Sequence, residues 1–210
     1  TCAHPERVHL VPLDLQDYTS LKNIAQGVLQ DHGSIDYLVN NGGISQRAYA
    51  VYTQLLVDAQ IMDVNFMGTV ALTKAVLPHM QSRKQGKIVT VTSMVGKYGT
   101  PMRSSYAASK HAVVGFGRQL GLELSEHQIL VNCVCAGIVD TPMWELIDRE
   151  IADLEGVPRG SVLDKIVAGI PLGRIQKPED VANVVAFLTS DDANYMTSDT
   201  INVAGGIIPY

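Results

Sequence analysis

The sequence predicts an α/β fold, a doubly wound parallel sheet in three αβα layers. Apolar, β-branched runs alternate with stretches of helical periodicity along the whole chain, which is the pattern of strand–helix–strand units. Those runs are continuously apolar, as strands buried on both faces must be. No repeat, linker or low-complexity segment interrupts them, so residues 1–210 read as a single domain.

Residues 8–13 (Val-His-Leu-Val-Pro-Leu) read as a short strand, with Pro12 marking its end or a sheet edge. Residues 18–30 follow with Leu21, Ile24, Ala25, Val28 and Leu29 on one helical side. Asp17 or Thr19 is the candidate cap and Gly33 the stop. Residues 35–39 form the next strand and run into Asn40-Asn41-Gly42-Gly43, which is either a plain turn or a place where backbone approaches a ligand.

A long helix is predicted over 55–81, with Asn65 inside an otherwise apolar stretch. That amide is either a satisfied structural group or the mark of a helix distortion whose side chain or freed carbonyl holds a water. Residues 87–92 are a β-branched strand with Ser93 at its carboxyl end, where open α/β sheets bind ligands. Ser104 or Ser105 is expected to cap a helix running to about 125, whose small residues suit close packing, within the chain or between subunits. Residues 129–134 form another strand. Residues 143–170 are helical but broken by Gly156-Val-Pro-Arg-Gly160, and 141–175 is expected to be a lid over a site. Pro178-Glu179-Asp180 starts the last helix, 194–203 holds the last strand, and Gly205-Gly206 turn the chain back.

Within this frame, Ser93, Tyr106 and Lys110 can perform proton chemistry together. Tyr106 and Lys110 lie one helical turn apart, and an ammonium there is expected to lower the phenol pKa toward neutrality. A tyrosine so tuned is a general acid or base.

Taken in order, these residues resemble a short-chain dehydrogenase/reductase from residue 8 to 206. The resemblance rests on Asp14-Leu15 after the first strand, Asn40-Asn41-Gly42-Gly43, the helix asparagine Asn65, and Ser93 ahead of Tyr106-x-x-x-Lys110. Asn132-x-Val-x-Ala-Gly-x-Val-x-Thr141 and Pro178-Glu-Asp-Val-Ala complete it. The resemblance implies a Rossmann-like fold and an oxidoreductase that interconverts an alcohol and a carbonyl with NAD or NADP. By the same resemblance Tyr106 transfers the proton, Lys110 lowers its pKa and holds the nicotinamide ribose, Ser93 orients the substrate oxygen, and Asn65 holds a water that links Lys110 to solvent. Asp14 and Leu15 would meet the adenine, Asn40 and Gly42 the adenosine ribose. Gly137, Val139 and Thr141 would flank the carboxamide and phosphate side. A homotetramer or homodimer is implied, with residues 55–81 and 105–125 at one interface.

The resemblance also exposes an absence. The family's opening strand–helix–strand, with its glycine-rich phosphate loop, has no counterpart here, and roughly forty to fifty residues are expected before Thr1. The competing expectation is a truncated scaffold that cannot hold the cofactor. Met94, Tyr98, Met143, Trp144 and Ile147 are candidate pocket walls.

Composition excludes other classes. A net charge of −5 with no basic run disfavours nucleic acid and anionic membrane as partners. No apolar run is expected to approach the length of a transmembrane helix, and a cytoplasmic location is expected. The cysteines Cys2, Cys133 and Cys135 form no framework and read as buried thiols. The histidines show no ligand spacing, so no metal is expected.

Overall fold

The computed structural model describes residues 4–208, without the side chains at 142, 143, 145, 146 and 154. Its four strands, β1 (Tyr37–Asn40), β2 (Gly86–Ser93), β3 (Ile129–Ala136) and β4 (Thr200–Val203), form one parallel sheet in the order β1-β2-β3-β4. The register pairs Val39 with Val89, Val89 with Asn132 and Cys135 with Asn202. The carboxyl ends of β1, β2 and β3 therefore open toward one edge of the molecule, where Asn40, Ser93 and Ala136 stand.

Helices α1 (Tyr18–His32), α2 (Leu55–Met62), α3 (Thr69–Arg83) and α4 (Ser104–Glu123) build one outer layer. Their core joins Ala25, Val76, Met80 and Leu120 to Ile88, Ile129 and Val131 of the sheet. On the other face, α7 (Pro178–Thr189) packs Leu188 against Val89 and Val134. Apolar faces at helical spacing thus meet both sides of strands that are hydrophobic throughout, giving the three layers. Asp17 caps α1 by accepting from the Ser20 N–H at 3.2 Å, and Gly33 ends it with φ 79°, a left-handed turn that favours glycine.

Several expectations change. Residues 8–13 form no strand and are largely exposed, with Leu10 90% accessible. A strand exists only by pairing, and among the described residues nothing lies beside this segment to pair with it. β1 is accordingly the sheet edge, with Tyr37 and Val39 exposed. The cap of α4 is Arg103, not a serine; the Ser105 hydroxyl instead donates to the Asp58 carboxylate of α2. Leu55–Arg83 is continuous and, with a mean hydropathy of 1.3, is long and apolar enough to cross a membrane by length and composition alone. It packs on α1, α4 and β1, although only 22% of its apolar window is buried.

Cys133 and Cys135 are buried, and burial raises their thiols to about 12 and about 11. Cys2 lies outside the described residues. The 141–175 segment folds into α5 (Pro142–Glu155) and α6 (Ser161–Ala168) around Gly156 and Gly160, both at positive φ. Buried Asp148 joins them, accepting from the N–H groups of Gly160 at 2.6 Å and Leu163 at 3.0 Å. It serves α6 as a cap supplied from a distance. Asp148→Ala is expected to remove about 1–2 kcal/mol from this unit. Amide exchange at residues 160–168 would accelerate while β2 and β3 stay protected; unchanged exchange there would contradict the assignment.

Candidate active site

Residues 63–68 continue α2 into α3 as a π-helical turn, the distortion that Asn65 suggested. Both donors of the Asn65 side chain are committed. Its Nδ2 donates to the Ile44 carbonyl at 2.9 Å and the Ser109 hydroxyl at 3.0 Å, while Oδ1 accepts from the Ile44 N–H at 2.8 Å. It therefore clamps the loop after β1 to α4 and is a hydrogen-bonded structural amide within a helix distortion. With both side-chain donors used, a water at the side chain would have to donate to the second lone pair of Oδ1. The carbonyl accepts from the Thr69 hydroxyl at 2.9 Å and keeps a second lone pair.

The clamp seats Gly43 against the proton-transfer residues. A Cβ on Gly43 would lie 3.0 Å from Asn65 Oδ1 and 3.4 Å from Lys110 Nζ. Gly42 faces Leu15, whose Cδ1 would be 2.7 Å from a Cβ, and Leu15 also lies tightly over Gly68. Asp14 is exposed and accepts from the Gln16 N–H. The Asn40 side chain points inward, donating to Thr73 at 3.0 Å and Thr90 at 3.4 Å, so an outward contact from Asn40 falls to its backbone.

Ser93 ends β2, buried, its hydroxyl accepting from the Val95 N–H at 3.4 Å and lying near enough to Tyr106 to favour the phenolate. Tyr106 and Lys110 share a face of α4, with Nζ 5.7 Å from the phenol ring centre. Lys110 is buried and points at the Val91 carbonyl, 3.5 Å away. The electrostatics differ from the expectation. Burial raises the Tyr106 pKa, outweighing the Ser93 hydrogen bond and the fields of Arg103 and Arg47, which lower it. Lys110 is itself held down to about 8 by burial. A desolvated ammonium at this distance does not offset the desolvation of the phenol.

Past β3, Gly137 sits against Ala204, and Val139 pairs with Gln176. Buried Gln176, not anticipated from sequence, accepts from the Gly137 N–H and donates to the Val203 carbonyl, fixing the loop that carries Val139 and Thr141. Thr141 precedes α5 as its N-cap residue. Met94, Tyr98 and Trp144 share one wall with Ile138 and Ile166 around a cavity of about 630 Å³ beneath α5 and α6. Ile147 belongs to the same buried cluster, and the Met143 side chain lies outside the described residues. Arg47 and Arg103, which no motif signalled, also converge here.

A family model described as "Enoyl-(Acyl carrier protein) reductase" matches residues 2–208. The chain is 37% identical over 204 residues to the 3-oxoacyl-(acyl-carrier-protein) reductase FabG of Thermotoga maritima, covering 97% of this chain and 78% of that protein. It is 48% identical over 134 residues to a "Dehydrogenase/reductase SDR family protein 7-like" of Anopheles gambiae, covering 64% of this chain and 42% of that one. Among solved structures, the actinorhodin polyketide ketoreductase crystallised with NADPH superposes with a TM-score of 0.90 at 35% identity, covering 94% of this chain and 76% of that chain.

Proposed function

The chain belongs to the short-chain dehydrogenase/reductase family of NAD(P)-dependent oxidoreductases, and from that premise we propose that it interconverts an alcohol and a carbonyl with Tyr106 as general acid and base. The observation that carries this reading is the convergence of buried Ser93 at the carboxyl end of β2 with Tyr106 and buried Lys110, which share one face of α4 with Nζ 5.7 Å from the phenol ring centre.

The residues present suit the nicotinamide end of the cofactor. Gly43 leaves open the space a Cβ would fill beside Lys110, and Val139 and Asn41 border an apolar cavity of about 520 Å³ running under α7. Lys110 and Tyr106 would hold the ribose there, with Asn40 and Gly42 toward the adenosine and Val139 and Thr141 toward the carboxamide. Among the described residues no glycine-rich turn leads from a strand into a helix, so the phosphates find no such cradle in residues 4–208. When bound, the cofactor supplies or accepts the hydride.

The protein's own part is proton transfer. Ser93 and Tyr106 donate hydrogen bonds to the substrate oxygen and fix it. In reduction the Tyr106 proton passes to the developing alkoxide, and the Lys110 charge stabilises the phenolate that remains. The Asn65 carbonyl is placed to hold the water that returns a proton toward Lys110. Helices α5 and α6 form the lid. Exposed Leu55 and Leu56 on α2 support pairing with a second copy through α2 to α4, checked by sedimentation mass.

The defining experiment follows nicotinamide absorbance with short ketones and NADPH or NADH, alongside a cofactor titration. Carbonyl-dependent oxidation of the cofactor is the expected result. Absence of binding at millimolar cofactor would overturn the reading for residues 1–210 and favour the scaffold. A pH profile adds a second check. Because Lys110 is held down to about 8, it is charged below that pH and neutral above it. Reduction is therefore expected to be level in the acid range and to fall through about pH 8; a level profile to pH 10 would show that its charge is not required.

A further inference from the structure

Arg47 and Arg103 stand beside Tyr106 with no ion-pair partner among the described residues. Arg83, Arg159 and Arg174 each reach a carboxylate, that of Asp36, Asp153 and Asp180 respectively. Arg47 and Arg103 are half-buried, and the Nε of each is buried with no hydrogen-bond acceptor among the described residues. The fold forces the two together. The Ala48 N–H donates to the Met102 carbonyl at 3.2 Å, joining the loop after β1 to the entry of α4. Met102 takes a left-handed φ of 66°, strained for a side chain of its kind, and aims the next residue inward.

Arg103 lines the 630 Å³ cavity together with Met94, Tyr98 and Trp144. Arg47 lies over the Trp144 ring, 5.2 Å from its centre. Burial and the field of Arg103 lower Arg47 to about 10, so the arrangement opposes its own charge. Among the described side chains no carboxylate pairs with it. Tyr98 and Tyr106 are phenols, exposed Glu150 reaches Arg47 only through its field, and Glu155 and Lys165 sit at the exposed rim of the cavity. Two guanidiniums whose buried Nε donors are unfilled among the described residues, Arg103 on the cavity lining and Arg47 over its Trp144 wall, have the geometry of a fork for a planar anion.

We propose that this cavity takes carbonyl compounds carrying a carboxylate, with Arg47 and Arg103 as the residues that bind that carboxylate beside the reacting oxygen. The proposal rests on Tyr106 being the proton donor. The hydrocarbon between the two functional groups lies along Ile138 and Ile166, and the lid closes over it. Arg47 also orients Trp144, so substrate binding and lid packing share one contact.

Trp144 is the only tryptophan of the chain and reports directly on the cavity. Its fluorescence is followed while the protein is titrated with octanoate, with octanamide and with inorganic phosphate. Octanoate is expected to saturate the signal at a concentration about tenfold or more below octanamide, with phosphate ineffective, as charged hydrogen bonds require. Arg103→Gln and Arg47→Gln should each raise the octanoate half-saturation about tenfold and leave octanamide unchanged. Arg103→Lys should restore part of the loss, and melting curves show that each variant is folded. Equal titration by acid and amide, or an equal weakening of both in the variants, overturns the proposal. Carbonyl reduction without preference for acids would also sink it while sparing the oxidoreductase reading. A selective octanoate site in a protein that reduces no carbonyl would sink the oxidoreductase reading instead.

Discussion

Tyr106→Phe is expected to lower turnover by about 10²–10⁴-fold while cofactor affinity and melting temperature stay close to wild type. The substitution removes one oxygen. The ring remains packed in the cluster of Met94, Val95 and Trp144, so no cavity opens. What disappears is the proton that must reach the substrate oxygen. Ser93 remains as a donor but its hydroxyl is far too weak an acid to replace a phenol. Single-turnover rates at saturating substrate, with a parallel cofactor titration, separate chemistry from binding. A rate within about tenfold of wild type would remove Tyr106 from the reaction, because general acid catalysis contributes more than that.

Asn65→Leu is expected to be the most damaging substitution for stability outside the apolar core. Leucine fills a similar volume, yet it leaves the Ile44 N–H, the Ile44 carbonyl and the Ser109 hydroxyl without the partners they have now. At about 1–3 kcal/mol for each buried group left unpaired, the loss is about 3 kcal/mol or more. A fall of about 6–12 °C in melting temperature follows for a chain of this size. Activity should fall as well, since the loop carrying Gly43 and Arg47 loses its attachment to α4. Asn65→Asp keeps one acceptor and should be intermediate. A leucine variant that melts like wild type would show that the clamp contributes little.

The sheet and its flanking helices were legible because their signals are local. The runs around 87–92 and 129–134 are apolar and β-branched for their full length, and Pro178, Gly33 and Gly156 mark helix ends by their own backbone preferences. The candidate site was legible where it follows helix geometry, as with Tyr106 and Lys110. It was not legible where tertiary approach decides. Residues 8–13 have strand composition but no strand to pair with among the described residues. Arg47 and Arg103 meet only through the Ala48–Met102 contact between loops. Gln176 lies in an unremarkable stretch and acquires its role from β4 beside it. The direction of the Tyr106 pKa failed for a related reason: spacing reveals that a cation is near, but not how deeply the phenol is buried.

The exposed edge of the sheet has a colloidal consequence. β1 presents a row of backbone donors and acceptors with no partner strand on its outer side among the described residues, flanked by accessible Tyr37 and Val39. The neighbouring segment adds Val8, Leu10, Val11 and Leu13, all accessible. Such an edge is a template for strand addition, and neither a charge nor a bulge guards β1 along its four residues. The 210-residue chain is expected to associate edge to edge as its concentration rises, with light scattering increasing before any loss of helical signal. Tyr37→Lys, which places a charge on that edge without touching the Ser93–Tyr106–Lys110 face, should delay the association.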